Sequence, residues 1–179
     1  LFSRLPEWEE APARPVPRPV DLSPADVLGR LAALTGKGAE QRAGQRAYAE
    51  AAIGAFLPRA ARDQPRLMLA EAGTGIGKTL GYLAPASLWS EKAGGPVWIS
   101  TYTKALQRQL TAETARIYGS EATTRRRVVI RKGRENYLCL LNLEDRTNQI
   151  LSQKDPHAAI PLGLLARWVV ATAGGDLQG

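Results

Sequence analysis

Ala72-Gly73-Thr74-Gly75-Ile76-Gly77-Lys78-Thr79, preceded by the apolar run Leu67-Met68-Leu69-Ala70, decides how this chain is read. Its residue types spell a phosphate-binding loop. Glycines tolerate the backbone conformations in which successive N–H groups turn inward around phosphate oxygens. A helix starting near Gly77 adds the positive end of its dipole. Lys78 supplies a point charge for the β- and γ-phosphates, and Thr79 a hydroxyl for Mg²⁺. Lys78 and Thr79 are therefore the candidate catalytic residues. Gly73, Thr74, Gly75, Ile76, Gly77, Lys78 and Thr79 form the candidate nucleotide cradle. The common pattern G-x-x-x-x-G-K-[ST] has glycine where this chain has Ala72. The competing reading is a Gly-rich turn that merely precedes Lys-Thr. A strand expected before the loop and a helix after it weigh against that.

The totals set the frame. The 179 residues suffice for one α/β domain with its own core. The formal net charge of +7 suits a polyanionic partner without proving one. No apolar run reaches the ~18 residues of a membrane span. No secretory signal is read at the start, so the cytoplasm is the expected compartment. Cys139 is the one cysteine, which leaves no disulfide framework within the chain. The chain opens on Leu1, and Gly174-Gly175-Asp176-Leu177-Gln178-Gly179 reads as a loop opening. The expectation is a fragment of a longer protein.

Outward from the loop, the pattern alternates. Leu67 to Glu71 reads as a short strand, Val97-Trp98-Ile99-Ser100 as a buried strand and Val128-Val129-Ile130 as a third strand. Lys78 to about Trp89 reads as a helix with Leu80, Leu83 or Ala84, and Leu88 on one face. Pro85 should kink it, because residue 85 cannot donate to the carbonyl of Gly81. Lys104 to Ile117 reads as a second helix, with Leu106, Leu110 and Ile117 in register. This β-loop-α-β-α-β order implies a parallel sheet with right-handed crossovers. Upstream, residues 1–24 hold six of the twelve prolines and read as an extended, solvated linker. Ser23 and Pro24 read as the N-cap and first position of a helix carrying Leu28, Leu31 and Leu34. An Ala-rich helix follows from Ala43 to Leu57. Downstream, a helix is expected around Tyr137 to Leu143, then a polar irregular stretch over 144–160, then an amphipathic helix from Leu162 to Val170.

Three further signals accompany the loop. Arg42-Ala43-Gly44-Gln45 lies about thirty residues before it. A Gln amide donates and accepts, so Gln45 can read an adenine edge, and Arg42 can anchor the loop or the nucleotide. A solvated helix face is the plainer reading of those residues. In Ile99-Ser100-Thr101-Tyr102-Thr103-Lys104-Ala105-Leu106-Gln107-Arg108-Gln109-Leu110, hydroxyl residues precede a helix start. That arrangement suits a nucleic-acid phosphate, or equally an ordinary N-cap with a basic face. Arg131-Lys132-Gly133-Arg134-Glu135-Asn136-Tyr137-Leu138-Cys139 is a dense basic turn ending at the lone cysteine, with Arg125-Arg126-Arg127 just upstream.

Together these strings resemble the N-terminal part of the DinG/XPD-type superfamily 2 DNA helicases, over roughly residues 40–179. The strings A-E-A-G-T-G-I-G-K-T, S-T-Y-T-K-x-L-Q-x-Q-L and K-G-R-E-N-Y-L-C carry the resemblance. It implies a P-loop NTPase (RecA-like) α/β fold, present here as an incomplete first motor domain. Residues 25–135 would hold ATP and residues 136–179 would open an iron-sulfur domain insertion. It implies ATP and Mg²⁺ as cofactors, ATP-driven 5′-to-3′ unwinding in DNA repair or replication, and single-stranded or duplex-junction DNA as partner of a monomer. Arg42 and Gln45 resemble the adenine-reading motif, and Gly73 to Thr79 the phosphate motif with Thr79 on Mg²⁺. Thr101, Thr103, Lys104, Gln107 and Arg108 resemble the motif that touches single-stranded DNA, with Arg131, Lys132 and Arg134 as further phosphate contacts. Cys139 resembles the first of four thiolate ligands of a [4Fe-4S] cluster. The family's Asp-Glu-Ala-His motif is absent. Glu144-Asp145 mimics it only in reversed order, within an expected helix. Without it and without a second motor domain, the isolated chain is expected to bind ATP but not to act as a motor. A small P-loop phosphotransferase and a non-catalytic nucleic-acid-binding fragment are the rival readings.

Overall fold

The computed structural model describes residues 15–177, apart from 37, 39, 41, 62, 154, 155 and 173. Most of the expected proline-rich linker therefore lies outside the described residues. The chain divides into two compact units, one running to Val129 and the other from Ile130 onward.

The first unit is built on three helices, α1 (Pro24–Thr35), α2 (Ala43–Ala52) and α3 (Lys78–Ala93). The start of α1 is fixed by its sequence. The Ser23 hydroxyl accepts from the Asp26 N–H at 3.1 Å, and Pro24 sits in the first turn, where no donor is needed. Gly36 ends the helix at φ 88°. The Ala-rich α2 stops at Ala52, and Ile53–Phe56 continues as a 3₁₀ turn before Pro58. Leu22, Val27, Leu31 and Leu34 pack with Ala49, Ile53, Leu80, Ala84 and Leu88 in one core. Phe56 and Trp89 meet at its edge with ring centroids 6.0 Å apart.

α3 is the central element. Leu80, Leu83, Ala84 and Leu88 are buried, as the spacing requires, and so are Pro85, Ala86 and Ser87. The helix runs on through Pro85 to Ala93, four residues beyond the expected end. Two ion pairs tie its C-terminal half to α1: Arg30 with Glu91, and Lys92 Nζ with Asp26 at 2.8 Å. The Lys92 ammonium, followed by the Ser23 hydroxyl, holds the Asp26 carboxyl below the ordinary 3.8. A depressed carboxylate stabilises the fold above its unfolded pKa and loses that contribution as pH falls through the folded value. Carboxyl-carbon NMR of Asp26 should therefore show a midpoint below 3.8. Lys92→Ala should move it up toward the ordinary value, with the Ser23 contribution remaining.

α4 (Lys104–Tyr118) and α5 (Glu121–Arg127) follow. Thr103 caps α4 by accepting from the Leu106 N–H at 3.2 Å, and Ser120 caps α5 through the Thr123 N–H. On α4, Thr114 is buried and Ile117 packs against the core, while Leu106 is 44% exposed, so the expected apolar register holds only at its end. The α5 helix was not foreseen. Arg125, Arg126 and Arg127 occupy its last turn, where cations complement the helix dipole.

The expected parallel sheet is not formed among the described residues. Residues 67–71, 97–100 and 128–130 carry no strand ladder. Leu67, Leu69 and Trp98 are 83, 89 and 87% exposed, and Val129 is also solvent-facing. A strand is stabilised by hydrogen bonds and cross-strand packing to a neighbour, and these runs have none here. The local apolar signal was read correctly as apolar, but its pairing is not local.

The second unit holds α6 (Leu140–Gln153) and α7 (Pro156–Ala171). Both correct the expectation of an irregular stretch over 144–160. Leu143, Thr147, Ile150 and Leu151 recur at helical spacing, and polar composition masked that period. Glu144 and Asp145 lie exposed within α6, so the reversed acidic pair forms no Mg²⁺ motif. Before α6, Arg134–Asn136 is a 3₁₀ turn, and Tyr137 forms an isolated antiparallel bridge with Asp176. Leu138 N–H donates to Gly175 O at 2.9 Å and Leu177 N–H to Asn136 O at 2.8 Å. Lys132 pairs with Asp176, and the Tyr137 hydroxyl accepts from the Lys132 N–H at 2.9 Å. These bonds clasp the basic turn to residues 175–177.

Candidate nucleotide site

The loop between Glu71 and Gly77 is irregular and ends where α3 begins. Gly75 and Gly77 take φ of 80° and 82°, the left-handed region that side chains disfavour. No side chain caps α3, so its first N–H groups face no side-chain acceptor.

Two α2-side residues grip the loop from 32 and 33 positions upstream. Arg42 Nη1 donates to Gly75 O at 2.5 Å, and Gln45 Nε2 donates to Gly77 O at 2.8 Å. Gln45 is buried for this purpose, at 7% exposure. No peptide is cis. In a trans peptide the N–H points opposite to the C=O. With the Gly75 and Gly77 carbonyls held by α2, the N–H groups of Ile76 and Lys78 are turned to the other side. That is the arrangement an anion nest requires.

Gly77 is also required for space. A Cβ there would lie 2.2 Å from Gln45 Nε2. Gly81, one turn on, lets α2 approach α3, since a Cβ there would lie 2.6 Å from Tyr48 Cδ1. Beside this junction an open cleft of about 320 Å³ is lined by Leu28, Leu31, Glu40, Arg42 and Gln45 among others.

Lys78 and Thr79 stand at the loop's mouth. Lys78 Nζ donates to Ala72 O at 2.8 Å and to Gly73 O at 2.7 Å. Thr79 Oγ1 accepts from Gln109 Nε2 at 3.2 Å, a partner the sequence reading did not assign. Tyr82, on the same helix, is half-buried. Burial raises its pKa above 10.0, a hydrogen bond from Thr79 opposes the rise, and the nearby Tyr48 adds to it. The uncapped helix start, the turned N–H groups, the ammonium and the hydroxyl make a donor set that fits a phosphate with its Mg²⁺.

The residues read as DNA contacts fall in both units. Thr103 is committed as the α4 cap. Thr101 Oγ1 is buried without a hydrogen-bond partner. Lys104 and Arg108 are exposed four residues apart on α4, hence on one face, and Gln107 is half-buried. In the second unit Arg131 and Arg134 are exposed, while Lys132 is drawn into the pair with Asp176. Cys139 is exposed at the end of the clasped turn. A [4Fe-4S] cluster takes four thiolates in the usual case. The chain has one cysteine, and no group of three potential ligands gathers among the described residues. The residues present do not fit a cluster.

A Mycobacterium tuberculosis protein named ATP-dependent helicase DinG is 34% identical over 160 residues, 80% of this chain and 23% of that protein. Escherichia coli ATP-dependent DNA helicase YoaA is 40% identical over 119 residues, 65% of this chain and 17% of that protein. A Bacillus subtilis protein named 3′-5′ exonuclease DinG is 38% identical over 111 residues, 61% of this chain and 12% of that protein. No family model and no solved structure matches. The chain thus spans under a quarter of the length of these curated relatives. Over the matched residues the chain is similar to one stretch of the DinG/YoaA helicases.

Proposed function

We propose that this chain holds MgATP on residues 73–79 as the nucleotide-binding part of an ATP-dependent DNA helicase. The observation that carries the reading is the grip of Arg42 and Gln45 on the carbonyls of Gly75 and Gly77. It supports the loop as a preformed anion nest rather than a casual glycine turn. In this reading Lys78 exchanges the Ala72 and Gly73 carbonyls for the β- and γ-phosphate oxygens. Thr79 offers its hydroxyl to Mg²⁺, which supplies charge neutralisation when bound. Gln45 keeps one side of its amide on the loop and lines the cleft where a base would lie. Hydrolysis in such enzymes is mainly positioning and charge stabilisation, and these residues supply the positioning.

The three unpaired apolar runs are then adjacent strands of a parallel sheet completed by the rest of a longer protein. Residues 1–24 are a tether, 25–135 the ATP-holding part, and 136–179 the opening of an inserted domain. The exposed Cys139 contributes one thiolate at most, and nothing in this reading runs through a cluster. The whole protein unwinds DNA 5′ to 3′, while the isolated chain has little ATPase activity. The direct test is equilibrium binding of a fluorescent ATP analogue. Lys78→Ala should weaken it at least about tenfold, the worth of one charge-assisted contact. Unchanged affinity would remove the reading, and phosphate transfer to a small acceptor without DNA would replace it with a phosphotransferase.

DNA contact is electrostatic in this reading, through Lys104, Arg108, Arg131 and Arg134. With Lys132 engaged by Asp176, four phosphate contacts at ~0.7 each give a log–log salt slope of about −2.8 for a single strand. Oligothymidine binding followed from low to moderate salt measures it. A slope near zero would contradict the assignment, and a slope of about −3.5 would return Lys132 to the set.

A further inference from the structure

We propose that Gln109 is a positioning residue for the Mg²⁺ at Thr79, fixing the orientation of the hydroxyl that meets the metal. The proposal rests on the nucleotide reading above. Its carrying observation is the bond from Gln109 Nε2 on α4 to Thr79 Oγ1 on α3, across 30 residues of sequence. A hydroxyl has one hydrogen and two lone pairs. Gln109 occupies one lone pair. The other lone pair is left for a metal, and the Gln109 bond restricts where it points.

That matters because a threonine in the first turn of a helix otherwise chooses among rotamers. The Gln109 bond favours the one that presents its hydroxyl to α4. Mg²⁺ tolerates little departure from octahedral geometry, so a preset lone pair is worth more to it than to a looser cation. The donor comes from α4, the helix that also carries Lys104 and Arg108. The metal site and the proposed strand-binding face therefore share one rigid element.

The test separates this role from packing. Fluorescent ADP is titrated against the full 179-residue chain in EDTA and in saturating Mg²⁺, for wild type, Gln109→Ala, Gln109→Met and Lys78→Ala. Gln109→Met keeps the length of the side chain and removes the donor. Both Gln109 variants should lower the Mg²⁺-dependent gain in affinity about 3- to 10-fold, the worth of one hydrogen bond, and leave EDTA affinity within about twofold. An equal fall in EDTA and Mg²⁺, or an unchanged Mg²⁺ gain, overturns the proposal and leaves nucleotide binding intact. If Lys78→Ala changes neither affinity, the nucleotide reading itself fails and Gln109 loses its metal with it.

Discussion

Alanine at position 77 should abolish most nucleotide binding while the chain stays folded. Two costs fall on the same residue. The backbone there sits at φ 82°, which costs a residue with a Cβ about 1–2 kcal/mol. The added Cβ would also lie 2.2 Å from Gln45 Nε2 and 3.0 Å from its Cδ. Gln45 is buried and cannot swing into solvent, so the bond to Gly77 O goes, at about 0.5–1.5 kcal/mol. Together these come to about 1.5–3.5 kcal/mol before the loop regains its shape, or roughly 10- to 300-fold in affinity. Fluorescent-nucleotide titration reads the loss directly. The double variant Gln45→Ala/Gly77→Ala should bind no better than Gly77→Ala alone, because the φ penalty and the lost Gln45 bond are common to both. Wild-type affinity in Gly77→Ala would show that the loop does not need this conformation.

The second large effect is expected one turn further along α3, and it is an effect on stability. Gly81→Val should destabilise the first unit by about 2–3 kcal/mol in a urea titration, near the upper end for overpacking. The size follows from two opposed terms. Replacing a helical glycine by alanine gains about 1 kcal/mol in propensity. A Cβ 2.6 Å from the Tyr48 ring forces α2 and α3 apart, at about 1–3 kcal/mol. For Gly81→Ala the terms nearly offset. Valine forfeits much of the propensity gain and adds bulk, so the clash wins. Because α2 begins beside Arg42 and carries Gln45, displacing it should also loosen the grip on the loop. Tyr48→Ala added to Gly81→Val should recover part of the loss, a non-additivity expected only of residues in contact. Strictly additive losses would mean that the helices do not meet there.

Much of the site was legible because its chemistry is local. The loop, its glycines and the helix after it are written in eight consecutive residues, and Ser23-Pro24 announced α1 in two. Arg42 reads as an anchor for the loop or the nucleotide, and it holds Gly75 O; Gln45 reads as an adenine contact, and here its amide holds Gly77 O. Gln109 was within a quoted string yet unassigned. Nothing in its spacing from Lys104 or Gln107 points to α3, and only the packing of two helices brings it to Thr79. The three strands failed for a related reason. Leu67, Leu69 and Trp98 carry strand character in their side chains, but a strand exists only with a neighbour, and pairing is a non-local property. Helix α6 was a different kind of miss. Its period is present, but the polar residues filling its outer face mask it.

The clasp in the second unit bears on where a chain of this kind can be shortened. Gly175, Asp176 and Leu177 return to the basic turn through two backbone bonds and the pair with Lys132. Removing the last few residues would therefore act some forty positions away. It would free the Lys132 ammonium, unpair Tyr137 from its bridge and expose the turn leading to Cys139 to proteases. Residues 175–177 are, in this fold, the latch of the segment that precedes α6.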